Sequence, residues 1–438
     1  MKTKRILAAS AGLAIAALAL AGCSGSGDQA ASTQEQTDSG GKITVWVDPP
    51  RVPAAEAFQK AHPDIEIEVV QIDGTVGGKT VKQAFANFDS AGAGWPDAIF
   101  FPSNDDIAWA TNSTSNYAAD LTELLPDVIE GYDPAVLSFC EIDGKIRCLR
   151  NDAAPDVFWY NKAFFDEKGY QLPTTWEEYG TLAVKIAKEN PGKISGFLGD
   201  AYAVNRYLQG SGCPTNERIS ETEVKIDLAD PKCVRATELL TQMNDAGALS
   251  TQGIFDGDAA EAGANLVMSP GAVWWGNYLF RDTWKIPAGQ MSAVAPLSWE
   301  GESSPTTGNE GGGLWGVSSH ITGKQLENTL TFATFVATDP RWQVELSTGL
   351  PGYGPVQDGW LEKLETDAYF ADIPTVQKAF KEAAGAVSPY AYLLYDTGSV
   401  WTETVSPTLI GGGTVEDAIA AFGEKLVNQA TSVGYTLK

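Results

Sequence analysis

The sequence has 438 residues, of which 43% are hydrophobic and 20% are charged, a balance typical of a globular protein with about two domains. Its formal net charge is −26, which disfavours nucleic-acid binding, because that requires Lys and Arg against phosphate groups. The same charge disfavours anionic ligands, unless a local basic pocket overrides it.

The N-terminal segment predicts export and membrane attachment. Three basic residues precede an apolar run over residues 6–20, which is the layout of a secretory signal peptide. The Leu-Ala-Gly-Cys that ends at Cys23 resembles the lipobox of bacterial lipoproteins, in which the cysteine is lipidated. We therefore expect a signal peptide over residues 1–22, a lipid anchor on Cys23 and a flexible tether over residues 23–41. The alternative is an ordinary secretory signal with an incidental cysteine.

Residues 42–101 predict a strand, a helix and two further strands. Apolar residues alternate in Lys42–Val47 and in Ile65–Val70, and the segment between them has a helical pattern that stops at His62. Such a strand–helix–strand unit implies parallel pairing with a right-handed crossover. The apolar run Ala98–Phe101 predicts a buried third strand.

Further helices are predicted within residues 172–192, over residues 325–337 and from Thr414 onward. In the first of these, Thr175 and Glu178 have the spacing of a capping box. The alternation of strands and helices predicts an α/β fold. Ligands of open α/β sheets bind beyond the carboxyl ends of the strands, so we expect contacts at Asp48 and within residues 103–106.

Four cysteines remain when Cys23 is assigned to the anchor. They are Cys140, Cys148, Cys213 and Cys233, and an even number in an oxidising compartment indicates disulfides. Of the three possible connectivities we expect the sequential one, Cys140–Cys148 and Cys213–Cys233, with a contribution of about 2–3 kcal/mol from each bridge. Four free buried thiols are the alternative. A metal site is not expected, because no Cys-x-x-Cys pair exists and only two histidines occur.

The sequence has no phosphate-binding Walker loop, no G-x-S-x-G elbow and no HExxH motif. Its two histidines, His62 and His320, lie beside turns, and we expect both to be structural. We therefore assign no catalytic residue and expect no cofactor. A pair of carboxylates, as in a glycosidase, stays an open alternative, since the chain has 56 acidic residues.

Aromatic residues are numerous, with 13 Trp, 14 Tyr and 17 Phe, and several lie beside turn residues. The densest cluster is Trp274-Trp275-Gly276-Asn277-Tyr278. Flat rings receive the apolar faces of pyranose sugars, while amides and carboxylates bind the hydroxyl rims. The set therefore favours carbohydrate binding, although any single tryptophan could instead pack in the core.

Several segments resemble the extracellular solute-binding proteins of carbohydrate ABC importers, the maltose-binding-protein-like family. Residues 158–190 contain Tyr-Asn-Lys, a Gly-containing turn and then Thr-Trp-Glu-Glu. Residues 95–105 resemble the family's Pro-Asp strand, residues 311–343 resemble its Gly-Gly strand and following helix, and the tail from residue 413 matches as well. The similarity extends over nearly the whole mature chain.

This resemblance implies an α/β fold of two lobes, the class II type of periplasmic binding protein, with a ligand cleft between lobes joined by several crossings. Lobe 1 would comprise residues 42–153 and 309–358, and lobe 2 residues 154–308 and 359–438. The hinge would include residues 151–156. Sugar binding would close the lobes, and a membrane permease would recognise the closed form.

The resemblance also implies where ligand is bound. In lobe 1 it implies Asp48, Asn104 and Asp105. In lobe 2 it implies Trp274 or Trp275, and Trp401, which lies a few residues from the position of the family's C-terminal stacking aromatic. Further candidates come from the aromatic cluster and from the loop after Gly199; they are Asn277, Tyr202, Asn205 and Arg206.

The expected function is that of a monomeric, extracytoplasmic receptor, anchored to the cell membrane through Cys23, that binds a neutral oligosaccharide and hands it to the permease subunits of an ABC importer. Two alternatives stay open. One is a secreted glycoside hydrolase with aromatic subsites, and the other is a binder of a non-sugar solute such as a peptide.

Overall fold

A computed structural model describes residues 38, 40–72, 79–112, 114–220, 222–257, 259–391 and 394–438. The predicted signal peptide, Cys23 and most of the predicted tether lie outside the described residues. Within the described ranges, no helix combines the length and the apolar character that a membrane crossing requires.

Strands and helices alternate along the described chain. The strands are β1 Ile43–Val47, β2 Ile67–Gln71, β3 Ala98–Phe101, β4 Glu141–Ile142, β5 Lys145–Ile146, β6 Leu149–Arg150, β7 Asp152–Ala153, β8 Asp156–Asn161, β9 Glu217–Arg218, β10 Glu223–Lys225, β11 Met268–Ala272, β12 Met291–Val294, β13 Leu314–Val317, β14 Leu350–Pro351 and β15 Thr436–Leu437. The α-helices are α1 Val52–Ala61, α2 Lys79–Ala91, α3 Asp106–Asn112, α4 Pro126–Glu130, α5 Pro134–Leu137, α6 Lys162–Lys168, α7 Trp176–Glu189, α8 Pro231–Asp245, α9 Ala259–Asn265, α10 Gly323–Thr338, α11 Pro340–Gln343, α12 Gly354–Leu364, α13 Ile373–Ala384, α14 Thr397–Ile410 and α15 Val415–Ser432. Short 3₁₀ segments cover Pro49–Arg51, Ser138–Cys140, Gln209–Ser211 and Pro389–Ala391, and π-helical segments cover Val204–Leu208 and Trp275–Thr283.

Lobe 1 is built around a five-stranded sheet in the order β2–β1–β3–β13–β6. Strand β1 pairs in parallel with both β2 and β3, which confirms the predicted strand–helix–strand unit, and β13 joins β3 in antiparallel. Side chains on one face of the sheet pack with Phe58 of α1 and Phe332 of α10, and those on the other face pack with Phe85 of α2. Both faces are covered, so β3 is buried along its whole length, as its apolar run predicts.

Lobe 2 is built around the antiparallel sheet β11–β8–β12. Successive residues of the central strand β8 point to opposite faces. Trp159 packs edge to face with Phe380 of α13, while Phe158 packs on Tyr179 of α7. The second face continues into a large core that α8, α14 and α15 complete.

Helix α7 begins where its sequence predicts. The backbone N–H of Glu178 donates to the Thr175 hydroxyl at 3.2 Å, and a Glu178 carboxylate oxygen accepts from the Thr175 backbone at 3.3 Å. This reciprocal capping box satisfies two amide groups that the first turn of a helix leaves free. The tail helix α15 has a second such box, between Thr414 and Asp417, that the sequence analysis did not identify.

Two chain segments run side by side between the two sheets. The backbone N–H of Asp152 donates to the Gly312 carbonyl at 3.0 Å, and that of Asp156 donates to the Gly308 carbonyl at 3.1 Å. The pairing of β7 with β14 adds a further contact at this level. Residues 151–156 form one of these two segments, and both their role as a hinge and the bounds of the lobes stay predictions.

Both predicted disulfides are present. Cys140 is bonded to Cys148, eight residues away, and Cys213 is bonded to Cys233, twenty residues away. The first closes the β4–β5 hairpin of lobe 1, and the second ties the start of α8 to the loop before β9 in lobe 2. The sequential pairing is thus confirmed.

Candidate functional site

The carboxyl end of the lobe 1 sheet presents two buried polar side chains. Asp48 follows β1 and is 5% exposed, and Asn104 follows β3 and is 3% exposed. Because β1 and β3 are parallel neighbours, their ends meet at one edge of the sheet. The rule for open α/β sheets predicts ligand contacts at this edge, and the contacts of Asp48 and Asn104 with ligand stay predictions.

Asp48 has a free hydrogen-bond acceptor. Its Oδ2 accepts from the Arg51 guanidinium at 3.3 Å, whereas its Oδ1 has no hydrogen-bond partner among the described residues. Burial raises the pKa of Asp48, although the charge of Arg51 acts in the opposite direction. Arg51 is itself oriented by the Phe100 ring, 4.2 Å below its guanidinium, and lies 3.7 Å from Asp152. A buried carboxylate oxygen without a donor can receive a ligand hydroxyl.

Asp105 and Asp106 share one cation. The Lys82 ammonium lies 3.3 Å from Asp105 and 3.1 Å from Asp106. Burial lowers the pKa of Lys82, but the two carboxylates outweigh it and leave that pKa raised. Burial, together with the charge of Asp105, raises the pKa of Asp106 to about 7. Asp105 is therefore already engaged by protein groups at the edge of the cleft.

Arg150 lies behind Asn104 and connects it to the segments between the lobes. One guanidinium nitrogen donates to Asn104 Oδ1, and another donates to the carbonyl oxygens of Asp152 and Gly311, both at 3.1 Å. The side chain is fully buried, and burial lowers its pKa to about 10. The Phe139 ring, 4.6 Å from the guanidinium, supports its other side.

The facing wall, in lobe 2, is aromatic. Trp274 is half-buried, and its indole N–H donates to the Glu310 carbonyl at 2.7 Å. Tyr202 and Tyr278 stand edge-on to it with ring centroids 6.0 Å away, and Phe255 lies parallel to it within 7° at 6.1 Å. Phe255 is 54% exposed and Tyr278 is 37% exposed, so these rings form an aromatic surface open to solvent.

The polar end of the lobe 1 sheet and the aromatic surface of lobe 2 meet at residues 310–311. Gly311 accepts from Arg150 of lobe 1, and a Cβ atom added at this glycine would lie 3.5 Å from the Tyr202 hydroxyl. Burial raises the pKa of Tyr202, and the charges of Arg51 and Asp152 from lobe 1 also act on it. We call the space bounded by Asp48, Asn104, Tyr202 and Trp274 the interlobe cleft.

Asp396, at the start of α14 in lobe 2, interacts electrostatically with charged groups of lobe 1. Its carboxylate accepts from the Ser399 backbone at 2.8 Å. Burial raises the pKa of Asp396, the negative charge of Asp105 raises it further, and Lys82 lowers it. Carboxylates of both lobes are thus close enough to interact through the same lysine.

Trp275, although adjacent to Trp274, lies in the core. Its ring is 0% exposed, and its N–H donates to Glu310 Oε2 at 3.0 Å. The other oxygen of Glu310 accepts from Arg206 at 2.7 Å, and the Arg206 guanidinium lies 4.7 Å from the Trp275 ring. Burial raises the pKa of Glu310 to about 7, against the opposing charge of Arg206. Trp275 begins one π-helical segment and Arg206 lies within another. Such segments often occur at functional sites.

The other predicted lobe 2 contacts are also buried within the protein. Trp401 is 0% exposed, donates to the Leu198 carbonyl at 2.8 Å and packs on Phe422. Asn205 donates to Gln209 at 2.9 Å, and Asn277 donates weakly to the Thr348 carbonyl at 3.4 Å. Their contacts with ligand stay predictions; Trp401 and Asn205 contact other residues of lobe 2, whereas Asn277 bonds to Thr348 of lobe 1.

Several residues of the cleft belong to no recognisable sequence motif. Phe255 follows a Gly-Ile pair in an irregular loop, and Arg51, Lys82, Arg150, Glu310 and Asp396 are single charged residues without a motif. Only the folded chain brings them together, since Arg150 and its partner Gly311 are 161 residues apart. Within the described ranges, no cluster of three or more His, Cys, Asp or Glu is arranged to hold a metal ion.

Residues 47–230 match the family described as bacterial extracellular solute-binding protein. A curated relative, an uncharacterised ABC transporter extracellular-binding protein of Pyrococcus horikoshii, is 28% identical over 136 residues, which is 30% of this chain and 30% of that protein. The chain thus aligns with less than a third of the relative's length.

Solved structures extend the comparison to nearly the whole chain. The ABC transporter associated binding protein from B. animalis subsp. lactis, in complex with β-1,6-galactobiose, has a TM-score of 0.73 at 20% identity, over 91% of this chain and 99% of its own. The galacto-N-biose/lacto-N-biose I-binding protein from Bifidobacterium longum, in complex with lacto-N-biose, has a TM-score of 0.73 at 20% identity, over 92% and 100%. At this identity the likeness shows the fold, which is the two-lobed one. The match over residues 47–230 makes this part of the chain similar to bacterial extracellular solute-binding proteins, and the whole described chain has the two-lobed fold of the solved sugar-binding proteins.

Proposed function

We propose that this protein captures a neutral oligosaccharide in the interlobe cleft and delivers it to an ABC importer. The proposal depends on one observation, which is that the two sides of the cleft differ in chemistry. Asp48 and Asn104 offer hydrogen-bonding groups on lobe 1, and Tyr202 and Trp274 offer ring faces on lobe 2. A pyranose needs both, because its hydroxyl rim is polar and its C–H faces are apolar.

The charges around the cleft support a neutral ligand over an anionic one. Carboxylates outnumber cations; the carboxylates are Asp48, Asp105, Asp106, Asp152 and Asp396, and the cations are Arg51, Lys82 and Arg150. An added anion would meet this excess negative charge in a partly buried space, where repulsion is poorly screened. The disaccharides in both solved neighbours also support a carbohydrate ligand.

Among the predicted contacts we now favour Asp48, Asn104, Tyr202 and Trp274, with Phe255 as an addition. Each combines a position at the cleft with an atom or ring that protein groups leave available. Asp105 would act indirectly, because Lys82 and the Ser103 hydroxyl already engage its carboxylate. The buried Trp275 and Trp401 would serve packing.

Isothermal titration of the mature chain against neutral di- to tetrasaccharides, including β-1,6-galactobiose and lacto-N-biose, tests the proposal. We expect saturable binding of at least one sugar, with the sugar recovered intact by chromatography. Recovery of cleaved sugar would instead establish the glycoside hydrolase. Binding of peptides from a library, without binding of any panel sugar, would establish a peptide-binding protein instead.

We further propose that the chain is a monomer held at the outer face of the cell membrane by a lipid on Cys23. The Leu-Ala-Gly-Cys pattern and the acidic, polar tether support this placement. Expression of the full chain with Cys23→Ser should move the protein from the membrane fraction to the medium or periplasm. Retention of this variant in membranes would contradict the lipid anchor.

A further inference from the structure

The contacts of Arg150 decide which way the Asn104 side chain can bind a ligand. Arginine has only hydrogen-bond donors, so the Asn104 atom that faces its guanidinium must be the carbonyl oxygen Oδ1. The other half of the amide, the Nδ2 group with two N–H donors, then points away from Arg150. Among the described residues no protein acceptor takes these donors, and Asn104 lies just beyond the carboxyl end of β3, on the cleft.

We propose that Arg150 is a positioning residue that fixes Asn104 as a hydrogen-bond donor to the sugar. This inference rests on the proposed function, and it assigns the polarity of the contact. Asn104 donates to a sugar oxygen, whereas Asp48, through its free Oδ1, accepts from a sugar hydroxyl. This pair should favour sugars that place an oxygen acceptor beside Asn104 and a hydroxyl donor beside Asp48.

Arg150 can hold this orientation because it is itself fixed on several sides. Its guanidinium donates to the carbonyls of Asp152 and Gly311, which belong to the two segments between the lobes. The Phe139 ring covers one face of the guanidinium. A shorter, flexible lysine presents a single ammonium group and cannot reach all three acceptors at once. Arg150 therefore links the geometry of the hinge segments to the orientation of one amide in the cleft.

Two substitutions at Asn104 distinguish the loss of its amide donor from the loss of its contact with Arg150. Asn104→Asp keeps an acceptor for Arg150 but replaces the NH₂ group by an oxygen, while Asn104→Ala removes both. We expect both variants to lose at least tenfold in affinity for the tightest binder among β-1,6-galactobiose, lacto-N-biose and the other panel sugars. We also expect N104D to be at least as stable to urea at pH 7 as N104A, because a guanidinium faces the new charge.

Asn328→Asp is the matched control for stability. Asn328 is also a buried lobe 1 asparagine, but its Nδ2 donates to the Gly41 carbonyl at 2.6 Å. A carboxylate there would face a carbonyl oxygen, so N328D should be less stable than N328A and should bind sugar as the parent does. If N104D is instead less stable than N104A, the inferred geometry is wrong, whether or not any sugar binds.

Arg150→Lys tests the positioning role. In the parent background it should weaken sugar binding, and in the N104A background it should cause no further loss, since the group that it positions is absent. Equal losses in both backgrounds would overturn the proposal, as would an N104D variant that is stable and binds like the parent. If no panel sugar binds the parent chain, the proposed function fails for these sugars, and the stability of N104D still decides the Arg150–Asn104 geometry.

Discussion

Two adjacent tryptophans have different environments, and a π-helical segment, Trp275–Thr283, begins at the second of them. Trp274 keeps part of its ring at the cleft surface beside Tyr202 and Phe255. Trp275 points inward, where it is 0% exposed and bonded to Glu310. At the scale of single residues, an aromatic side chain contributes to binding only when a ring face stays accessible.

Trp274→Ala should therefore weaken binding of the panel sugar by about 1–2 kcal/mol, with little change in the free energy of unfolding. Trp275→Ala is the matched control, and it should destabilise the fold by about 3–5 kcal/mol, as expected for a large core side chain. Isothermal titration and urea unfolding on both variants measure the two effects. Unchanged affinity in Trp274→Ala would remove this ring from the site.

Sequence reasoning located Asp48 and Asn104 because a general rule connects strand ends to ligand sites. It could not distinguish Trp274 from Trp275, since both occur in the same polar, Gly-containing stretch without a clear period. Arg150 and Glu310 escaped notice for another reason. Their partners lie 46 and 104 residues away, and only the completed fold sets those distances.

At the scale of secondary-structure elements, buried acids connect strands to helices. Asp97, just before β3, accepts from the Thr44 backbone of β1 at 2.6 Å and from Gln325 of α10 at 2.7 Å. Burial raises the pKa of Asp97 to about 6, although both hydrogen bonds oppose the shift. Burial likewise raises the pKa of Asp106 and the pKa of Glu310 to about 7.

These raised pKa values predict that the protein is more stable in mild acid. Between pH 4 and 7 the folded chain holds protons on these groups that the unfolded chain has released, so the free energy of unfolding falls as the pH rises. Thermal unfolding should have a higher midpoint at pH 5 than at pH 8. Asp97→Asn should reduce this difference, because it removes one of the titrating groups. A midpoint that rises from pH 5 to pH 8 would contradict the prediction.

The segments between the lobes depend on a glycine. Gly312 has φ of 98°, and a Cβ atom there would lie 2.1 Å from Arg150 Nη2 and 2.5 Å from the Asp152 carbonyl. Gly312→Ala should therefore lower stability and also sugar affinity. Gly289→Ala is the control, because Gly289 also has a positive φ of 78° but has open space around it. It should show only the backbone strain of about 1–2 kcal/mol, measured by urea unfolding. Equal losses in both variants would mean that the contact with Arg150 is unimportant.

The elements themselves were largely predictable. Strands β1 and β3 and helices α1, α7 and α15 follow from the alternation of apolar residues and from stop or cap signals such as His62 and Thr175. The π-helical turn at Trp275–Thr283 was not, because no local pattern distinguishes it from an α-helix. Such a turn depends on the tertiary contacts of its side chains, here with Glu310 and Arg206.

At the scale of the whole molecule, Lys82 of lobe 1 offsets carboxylates from both lobes. Its ammonium pairs with Asp105 and Asp106, and its charge also acts on Asp396 of lobe 2. When the lobes approach, these carboxylates repel one another, and Lys82 reduces the repulsion. The lysine should therefore favour the closed arrangement.

Lys82→Met should weaken sugar binding, most strongly at low salt, where repulsion between the lobes is least screened. Small-angle X-ray scattering should then show a larger radius of gyration than for the parent chain at the same sugar concentration. Lys378→Met is the control, since Lys378 is an exposed residue that pairs with Glu382 on the same helix. A compact, tightly binding K82M variant would show that this cation has no part in closure.

The proposed function requires that sugar is bound between the lobes. A crystal structure of the chain with the panel sugar that binds most tightly tests this claim directly. We predict sugar hydroxyl groups within hydrogen-bond distance of Asp48 and Asn104, and a sugar face against Trp274. A sugar bound to one lobe alone, or to a surface outside the interlobe cleft, would contradict the account.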